Sequence, residues 1–166
     1  MSPAPAIRPA ELADLGAVGE IYAHYVRHTF VTFDLEPPTP GDWRASWRAA
    51  QRDRHPWWVA EAGNEVLGFL STSAFRPKAA YRPTVETTIY LAPEAAGQGL
   101  GTALYEVGLP RLTELGFHRA TAGIALPNPA SVALHERMGF TLVGVFDEVG
   151  HKLGGWRDVG WWRRAL

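Results

Sequence analysis

The stretch Ala96-Gly97-Gln98-Gly99-Leu100-Gly101-Thr102 stands between a predicted strand and a predicted helix. Its glycines let successive backbone N–H groups turn toward one point, and the helix start adds the positive end of its dipole. This combination is typical of a loop that holds a diphosphate. Glycine-rich turns are common, however, so the loop by itself does not identify a ligand.

Two other nucleotide-binding patterns are absent from this loop. A Walker P-loop requires Gly-Lys-Ser/Thr at the helix start, but Gly101-Thr102-Ala103 contains no lysine. A dinucleotide fingerprint requires a third glycine where Thr102 stands and an acidic residue about 20 positions later, which is missing. The sequence therefore excludes both kinds of site.

Hydrophobic periodicity predicts strands and helices on both sides of the loop. The prediction is an α/β (α+β) single domain of residues 1–166 with a mixed, mostly antiparallel sheet flanked by helices. We expect a kink or break at Pro110, which cannot donate a backbone hydrogen bond inside its helix. The predicted strands are residues 7–8, 57–62, 65–74, 84–91, 119–125, 141–149 and 156–163, and the predicted helices are residues 11–27, 102–115, one after a Thr39–Asp42 capping box and one from Asn128 to Gly139.

Composition limits the class of protein and its partners. The chain has 16 basic and 17 acidic residues, so no strong net field is available to hold nucleic acid or an anionic membrane. It contains no cysteine, which excludes disulfides, thiolate metal sites and a cysteine nucleophile. The absence of cysteine fits a reducing cytoplasm, and the first residues lack the pattern of a secretory signal, so a cytoplasmic location is expected. Seven tryptophans indicate a large aromatic core, with a subunit contact near Trp161 and Trp162 as an alternative.

A second informative stretch runs from Asn128 to Phe140. Together with the strand of residues 84–91 and the glycine loop, it resembles the GCN5-related N-acetyltransferase (GNAT) superfamily. Residues 29–40, Val85-Glu86 and residues 154–160 also fit the pattern of the phosphinothricin acetyltransferase group within it. The resemblance covers nearly the whole chain, and several separate motifs in the correct order make it specific.

The resemblance implies a cofactor, acetyl-CoA, and no metal. It places the thioester and pantetheine arm beside residues Ile89, Tyr90 and Leu91, with Asn128 near the pantetheine. The pyrophosphate would be held by Gly97, Gln98, Gly99, Leu100, Gly101 and Thr102. The superfamily usually has Arg or Gln where Ala96 stands, so we expect weaker cofactor binding at most. The resemblance also implies a homodimer.

Glu86 and His135 are the catalytic residues that the resemblance implies. An ammonium must lose a proton before it can attack a thioester, and a desolvated carboxylate with a raised pKa can accept that proton. Histidine, with an ordinary pKa near 6.5, can act as a second base or can protonate the departing thiolate. We favour Glu86 as the base; the role of His135 as base, acid or structural residue stays open.

The resemblance implies a small amino-acid-like substrate of the phosphinothricin, methionine sulfoximine or sulfone type. Arg76, Lys78 and Tyr81 would hold its anionic tail. Phe33 and Val159 would supply apolar walls. Two alternatives are a non-catalytic sensor that binds acetyl-CoA and an acetyltransferase for proteins or peptides.

Two histidines stand four residues apart on a predicted helix, a spacing that can place two metal ligands on one face. His24 and His28 could share a metal, but no third ligand is evident in the sequence. The expectation is therefore no metal.

Overall fold

The structure is a computed structural model that describes residues 5–166. Residues 1–4, which the predicted domain includes, lie outside the described residues. Residues 5–166 form a seven-stranded sheet and four α-helices, which confirms the predicted fold class. The strands are β1 (Ala6–Pro9), β2 (Trp58–Ala62), β3 (Glu65–Ala74), β4 (Thr84–Leu91), β5 (Arg119–Leu126), β6 (Thr141–Lys152) and β7 (Gly155–Ala165), and the α-helices are α1 (Leu15–His28), α2 (Pro40–Arg52), α3 (Leu100–Glu114) and α4 (Pro129–Arg137).

The sheet has the strand order β1-β2-β3-β4-β5-β7-β6. Every neighbouring pair is antiparallel except β4 and β5, which are parallel. A parallel pair needs a long crossover, and the crossover here contains the glycine loop and α3. The loop therefore lies at the end of β4, next to the only parallel junction within the described sheet.

Helices cover both faces of the sheet, as the contacts of two successive side chains of β3 show. Successive strand residues point to opposite faces. The Phe69 ring packs on Trp43 of α2, with ring centroids 6.2 Å apart. The next side chain, Leu70, meets Gly108 of α3, where an added Cβ would stand 2.6 Å from its Cδ2. The core is therefore built on both faces, with α1 and α2 on one and α3 on the other.

Two local predictions are confirmed. Gly63 and Asn64 both have positive φ, 58° and 69°, as a two-residue hairpin turn between β2 and β3 requires. Thr39 accepts a hydrogen bond from the Asp42 backbone N–H at 3.2 Å, and the Asp42 carboxylate accepts one from the Thr39 N–H at 2.8 Å. This capping box starts α2.

Two other local predictions differ in part from the structure. The first helix begins at Leu15 rather than at residue 11, because residues 12–14 form a 3-10 turn in which the Asp14 carboxylate pairs with Arg8. The helix α3 runs through Pro110 without a break. Pro110 and Glu106, whose carbonyl loses its helical partner, both lie on the exposed face, where water can bond that carbonyl. Buried Leu109 and Leu112 hold the opposite face in the core.

Strands β4 and β5 pair over only three residues, although each strand has eight. The last pair joins Glu86 to Thr121, and beyond it the two strands separate. We call this point the fork. Separation of neighbouring strands leaves backbone groups on each side without a strand partner, and it opens the sheet to a ligand.

Candidate active site

A cavity of about 750 Å³ lies at the fork. It is bordered by the part of β4 beyond Glu86, by the matching part of β5, by the glycine loop and by one side of α4. A cavity of this size, lined by apolar groups with a few polar ones, is typical of a small-molecule site. We call it the central cavity.

Glu86 lines the central cavity at the fork. Its side chain is partly buried, and it makes no hydrogen bond to any residue between 5 and 166. Burial raises the pKa of the Glu86 carboxyl above its ordinary value, and the nearby Arg76 guanidinium lowers it in part. A carboxylate of this kind is poised to accept a proton. It faces the same cavity as Gly97 and Gly99 of the glycine loop.

Side chains of two threonines hold the fork where the backbone ladder ends. The Thr121 hydroxyl donates to the carbonyl of Val85 at 3.2 Å, and the Thr87 hydroxyl lies 3.1 Å from the carbonyl of Thr121. These side-chain bonds join the two strands at the end of the backbone ladder. Thr87 is buried on the face opposite to Glu86, toward α3.

His135 lies in α4, is buried and has protein partners at both ring nitrogens. Nδ1 is 2.7 Å from the Ser131 carbonyl oxygen, and Nε2 is 2.8 Å from the Tyr105 hydroxyl. Because a carbonyl oxygen can only accept, Nδ1 carries the proton, and Nε2 of the neutral ring accepts from Tyr105. Burial lowers the pKa of His135, which favours this neutral form. The Tyr105 hydroxyl is also 3.0 Å from Thr87 Oγ1, so His135 is tied to the fork.

The glycine loop leads directly into α3. Gly97 and Gly99 have φ of 77° and 79°, which glycine adopts without strain, and a Cβ added at either would meet nothing within 4 Å. Gly97, Gly99, Gly101 and Thr102 line the central cavity together with Ala96. Two other predicted cofactor residues do not line it: the Gln98 side chain donates to the Glu94 carbonyl at 3.0 Å, and Leu100 is buried in the core.

The remaining predicted cofactor residues line the same cavity. Ile89, Tyr90 and Leu91 border it from β4, and Asn128 borders it at the start of α4. Asn128 Oδ1 caps that helix by accepting from the Ser131 N–H at 3.2 Å, which leaves the Asn128 amide N–H groups free of that bond. The Leu91 carbonyl is not free, because the Tyr25 hydroxyl donates to it at 2.6 Å.

None of the five predicted substrate residues lines the central cavity. Arg76 lies over the Phe75 ring at 4.3 Å and 5.6 Å from the Trp161 ring centroid, close enough to Glu86 to influence its pKa. Tyr81 packs edge-on against Phe75, so Arg76 and Tyr81 share one cluster. The other three are separate: Lys78 is exposed, Phe33 lies against Gly150 of β6, and Val159 pairs with Ala125 and Phe146 in the sheet.

No group of three or more His, Cys, Asp or Glu side chains within residues 5–166 is arranged to hold a metal ion. His24 and His28 are neighbours on α1, with ring centroids 5.0 Å apart. None of the described helices is both long enough and apolar enough to span a membrane.

The pattern of the acetyltransferase (GNAT) family matches residues 19–140, which include the fork, the glycine loop and α4. The chain belongs to this family. This confirms the resemblance found from the separate motifs.

Characterised relatives of this GNAT chain cover almost its whole length. Phosphinothricin N-acetyltransferase of Streptomyces coelicolor is 43% identical over 96% of this chain and 95% of its own. L-methionine sulfoximine/L-methionine sulfone acetyltransferase of Pseudomonas paraeruginosa is 36% identical over 92% and 90%. The crystal structure of a GNAT phosphinothricin acetyltransferase from Sinorhizobium meliloti, in complex with acetyl-CoA, superposes with a TM-score of 0.94 at 37% identity, covering 98% of this chain and 88% of that one.

The residues of this GNAT chain fit acetyl-CoA. Diphosphates bind at helix starts where backbone N–H groups converge, and Gly97 and Gly99 leave that approach open because no Cβ occupies it. The separated edges of β4 and β5 can bond the amides of the pantetheine arm. Small side chains of β5, Ala122, Gly123 and Ala125, border the cavity and leave room for the arm.

Sequence reasoning missed several residues of the site. Tyr105 was interpreted only as part of the hydrophobic periodicity of a predicted helix, although its hydroxyl joins His135 to Thr87. Arg137 lines the central cavity, and its side chain makes no hydrogen bond or ion pair with any described residue. Its position seven residues after Ala130, which also lines the cavity, was a usable signal, because such residues share a helix face.

Proposed function

We propose that this protein is an acetyl-CoA-dependent N-acetyltransferase that acetylates the amino group of a small amino-acid-like substrate. The observation that carries the proposal is the position of Glu86. Its partly buried carboxylate lies at the fork, and it faces the cavity that the glycine loop also borders. The names of the relatives support a substrate of the phosphinothricin, methionine sulfoximine or methionine sulfone type.

Each part of the site has a proposed role toward the cofactor. The N–H groups of residues 97–102 bind the diphosphate, and residues 89–91 with Asn128 bind the pantetheine arm. Bound acetyl-CoA supplies a thioester, from which the acetyl group passes to the substrate nitrogen as the thiol leaves. Arg137 supplies a positive charge that the loop lacks, since Ala96 stands where the family usually has Arg or Gln.

Glu86 is proposed as the general base. An amino acid carries an ammonium group near neutral pH, and its nitrogen has no free electron pair until a proton is removed. Because burial raises the pKa of Glu86, its carboxylate is a stronger base than an exposed one. General-base catalysis of this kind contributes about 10²- to 10⁴-fold in rate.

His135 is proposed to position the fork rather than to exchange protons with the substrate. Both ring nitrogens are occupied, by Ser131 and Tyr105, so either a base or an acid role would require breaking one of these buried bonds. As a neutral imidazole, His135 holds Tyr105, which in turn holds Thr87 beside Glu86.

The substrate residues stay as proposed contacts around Glu86. Arg76, with Lys78 and Tyr81, would hold the anionic tail of the substrate, and the proximity of Arg76 to Glu86 supports its part. Phe33 and Val159 would form apolar walls. An anionic tail held near Arg76 would leave the amino group of an amino acid free to reach Glu86.

A homodimer is proposed through β6. This strand is at the edge of the sheet, and its side chains from residue 141 to 149 are exposed, including Val143, Phe146 and Val149 at 65%, 61% and 57%. A monomer rarely exposes so many apolar side chains together, and a second copy of the chain would cover them. Trp162 is buried in the core, so it does not contribute to this surface. Light scattering of the purified protein tests the stoichiometry.

The deciding experiment measures thiol release from acetyl-CoA against amino acids, their sulfone, sulfoximine and phosphinate analogues, and short peptides. We expect turnover with the small analogues. Glu86→Gln should lose at least about 100-fold in kcat while it keeps acetyl-CoA affinity. Full activity in Glu86→Gln would refute the base assignment. Acetyl-CoA binding without turnover would indicate a sensor, and turnover with peptides alone would indicate a protein acetyltransferase.

The domain bounds of residues 1–166 and a cytoplasmic location remain predictions. The predicted cytoplasmic location is based on the absence of cysteine from the chain.

A further inference from the structure

Lys152 is a buried lysine outside the central cavity. It is one of only two lysines in the chain, and just 5% of its surface is exposed. Its Nζ donates to the backbone carbonyl of Thr32 at 2.8 Å. Burial lowers the pKa of Lys152, while the nearby Asp34 carboxylate raises it. Burying an ammonium is unfavourable unless it is hydrogen-bonded, so the bond to Thr32 is the interaction that compensates for burial.

Thr32 belongs to the segment of residues 29–34, which follows α1. The Tyr22 hydroxyl lies 2.5 Å from Thr32 Oγ1 and donates to Asp34 Oδ2 at 2.7 Å. The Tyr90 hydroxyl donates to the Val31 carbonyl at 3.4 Å. Because Tyr22, Val31 and Tyr90 all line the central cavity, the position of this segment determines the shape of one cavity wall.

The end of β6 holds the same segment at a second point. The Phe33 ring lies directly against Gly150, where an added Cβ would stand only 2.2 Å from the ring. Gly150 and Lys152 are two residues apart, so they project from the same face of β6. Strand β6 therefore contacts residues 29–34 at two points, through the backbone of Gly150 and through the ammonium group of Lys152.

We propose that Lys152 is a positioning residue for the amine substrate. By holding the Thr32 carbonyl, it fixes residues 29–34 so that Val31, which lines the central cavity, forms one wall of the substrate site. Lys152 touches neither the substrate nor the reacting atoms. A wall that is already ordered reduces the entropy that substrate binding must overcome. This inference rests on the proposed function for the location of the amine.

Lys152→Met tests the proposal, because methionine keeps an unbranched apolar side chain and removes the ammonium. We expect KM for the amine to rise about tenfold, as for the loss of one charge-assisted hydrogen bond. KM for acetyl-CoA and kcat should change by less than about twofold, because the diphosphate loop and Glu86 are not altered.

Gly150→Ala gives a second, independent perturbation. Its added methyl displaces the Phe33 ring, so the same rise in KM for the amine is expected. Gly16→Ala is the matched control, since a Cβ there would meet nothing within 4 Å and Gly16 is exposed on α1, outside the proposed dimer surface. If Lys152→Met fails to fold, Gly150→Ala tests the proposal in its place. KM for the amine should then rise while KM for acetyl-CoA changes little.

Hydrogen exchange provides a readout that does not depend on turnover. The amides of residues 29–34 should exchange faster in Lys152→Met than in wild type or in Gly16→Ala. If the wild type acetylates no amine, the proposed function fails while the exchange result still stands. If the variant keeps both the wild-type KM for the amine and slow exchange, Lys152 has no positioning role.

Discussion

The Tyr105 hydroxyl lies 2.8 Å from Nε2 of His135, and both residues are buried. This contact joins α3 to α4 behind the fork. Because His135 Nδ1 donates to the Ser131 carbonyl, the Tyr105 hydroxyl must donate to Nε2. The single Thr87 hydroxyl proton is then shared between the Tyr105 oxygen and the Thr121 carbonyl, which lie 3.0 Å and 3.1 Å from Thr87 Oγ1. The direction of the Tyr105–His135 bond therefore follows from one backbone carbonyl.

Tyr105→Phe should destabilise the protein by about 1–3 kcal/mol, because it leaves His135 Nε2 buried without a partner. Urea unfolding measures this loss. The nitrogen chemical shift of His135 Nε2 should change, because this nitrogen loses the hydrogen bond that it accepts, while Nδ1 keeps its proton on the Ser131 carbonyl. Tyr81→Phe is the stability control, since Tyr81 is 44% exposed. An unchanged His135 spectrum in Tyr105→Phe would contradict the hydrogen-bond assignment.

Arg76→Gln should move the acidic limb of the pH profile of kcat/KM to higher pH. Arg76 lowers the pKa of Glu86, so its removal lets burial raise that pKa further. A base with a higher pKa becomes deprotonated only at higher pH, so the acidic limb moves to higher pH. Arg82→Gln, in the same exposed loop, should leave the limb in place. A shift to lower pH would show that Arg76 acts on another group.

Glu86→Gln should stabilise the folded protein at neutral pH, although it removes activity. A carboxyl whose pKa is raised on folding opposes folding once it ionises, so stability falls as pH rises from its unfolded to its folded pKa. The gain should therefore vanish below pH of about 4, where Glu86 is protonated in both states. Thermal unfolding between pH 4 and 8 measures this gain in stability, with Glu106→Gln as the control at an exposed position.

Arg137→Gln should raise the Kd for acetyl-CoA about two- to fivefold, since an exposed ion pair contributes ~0.5–1 kcal/mol. The effect should shrink at high salt, because an exposed charge is screened. Arg48→Gln, exposed on α2 and away from the cavity, should bind as the wild type does.

The same binding assay tests whether Arg137 compensates for Ala96. Ala96 and Arg137 both border the central cavity, so an arginine at either position can approach the cofactor phosphates. Adding Ala96→Arg to Arg137→Gln should restore wild-type affinity. If the affinity of the double variant for acetyl-CoA stays low, the compensation is wrong.

Much of the local structure could be predicted from neighbouring residues. The Gly63-Asn64 turn and the Thr39–Asp42 capping box are confirmed, because each depends on conformations and bonds within four residues. The break at Pro110 was wrong, since the tertiary packing of Leu109 and Leu112 and the exposure of Pro110 outweigh its local preference. Predictions from local sequence fail where the burial of apolar side chains outweighs the local conformational preference of a residue.

By itself, the sequence determined the family, the order of strands and helices, and the presence of a glycine loop at a helix start. These follow from side-chain periodicity and from glycine's freedom at positive φ. Only the tertiary structure decided where β4 and β5 separate, that Tyr105 joins His135, and that Lys152 reaches Thr32, 120 positions away. A polar group's partner is set by which strands and helices pack together, and buried groups must find partners wherever that packing places them.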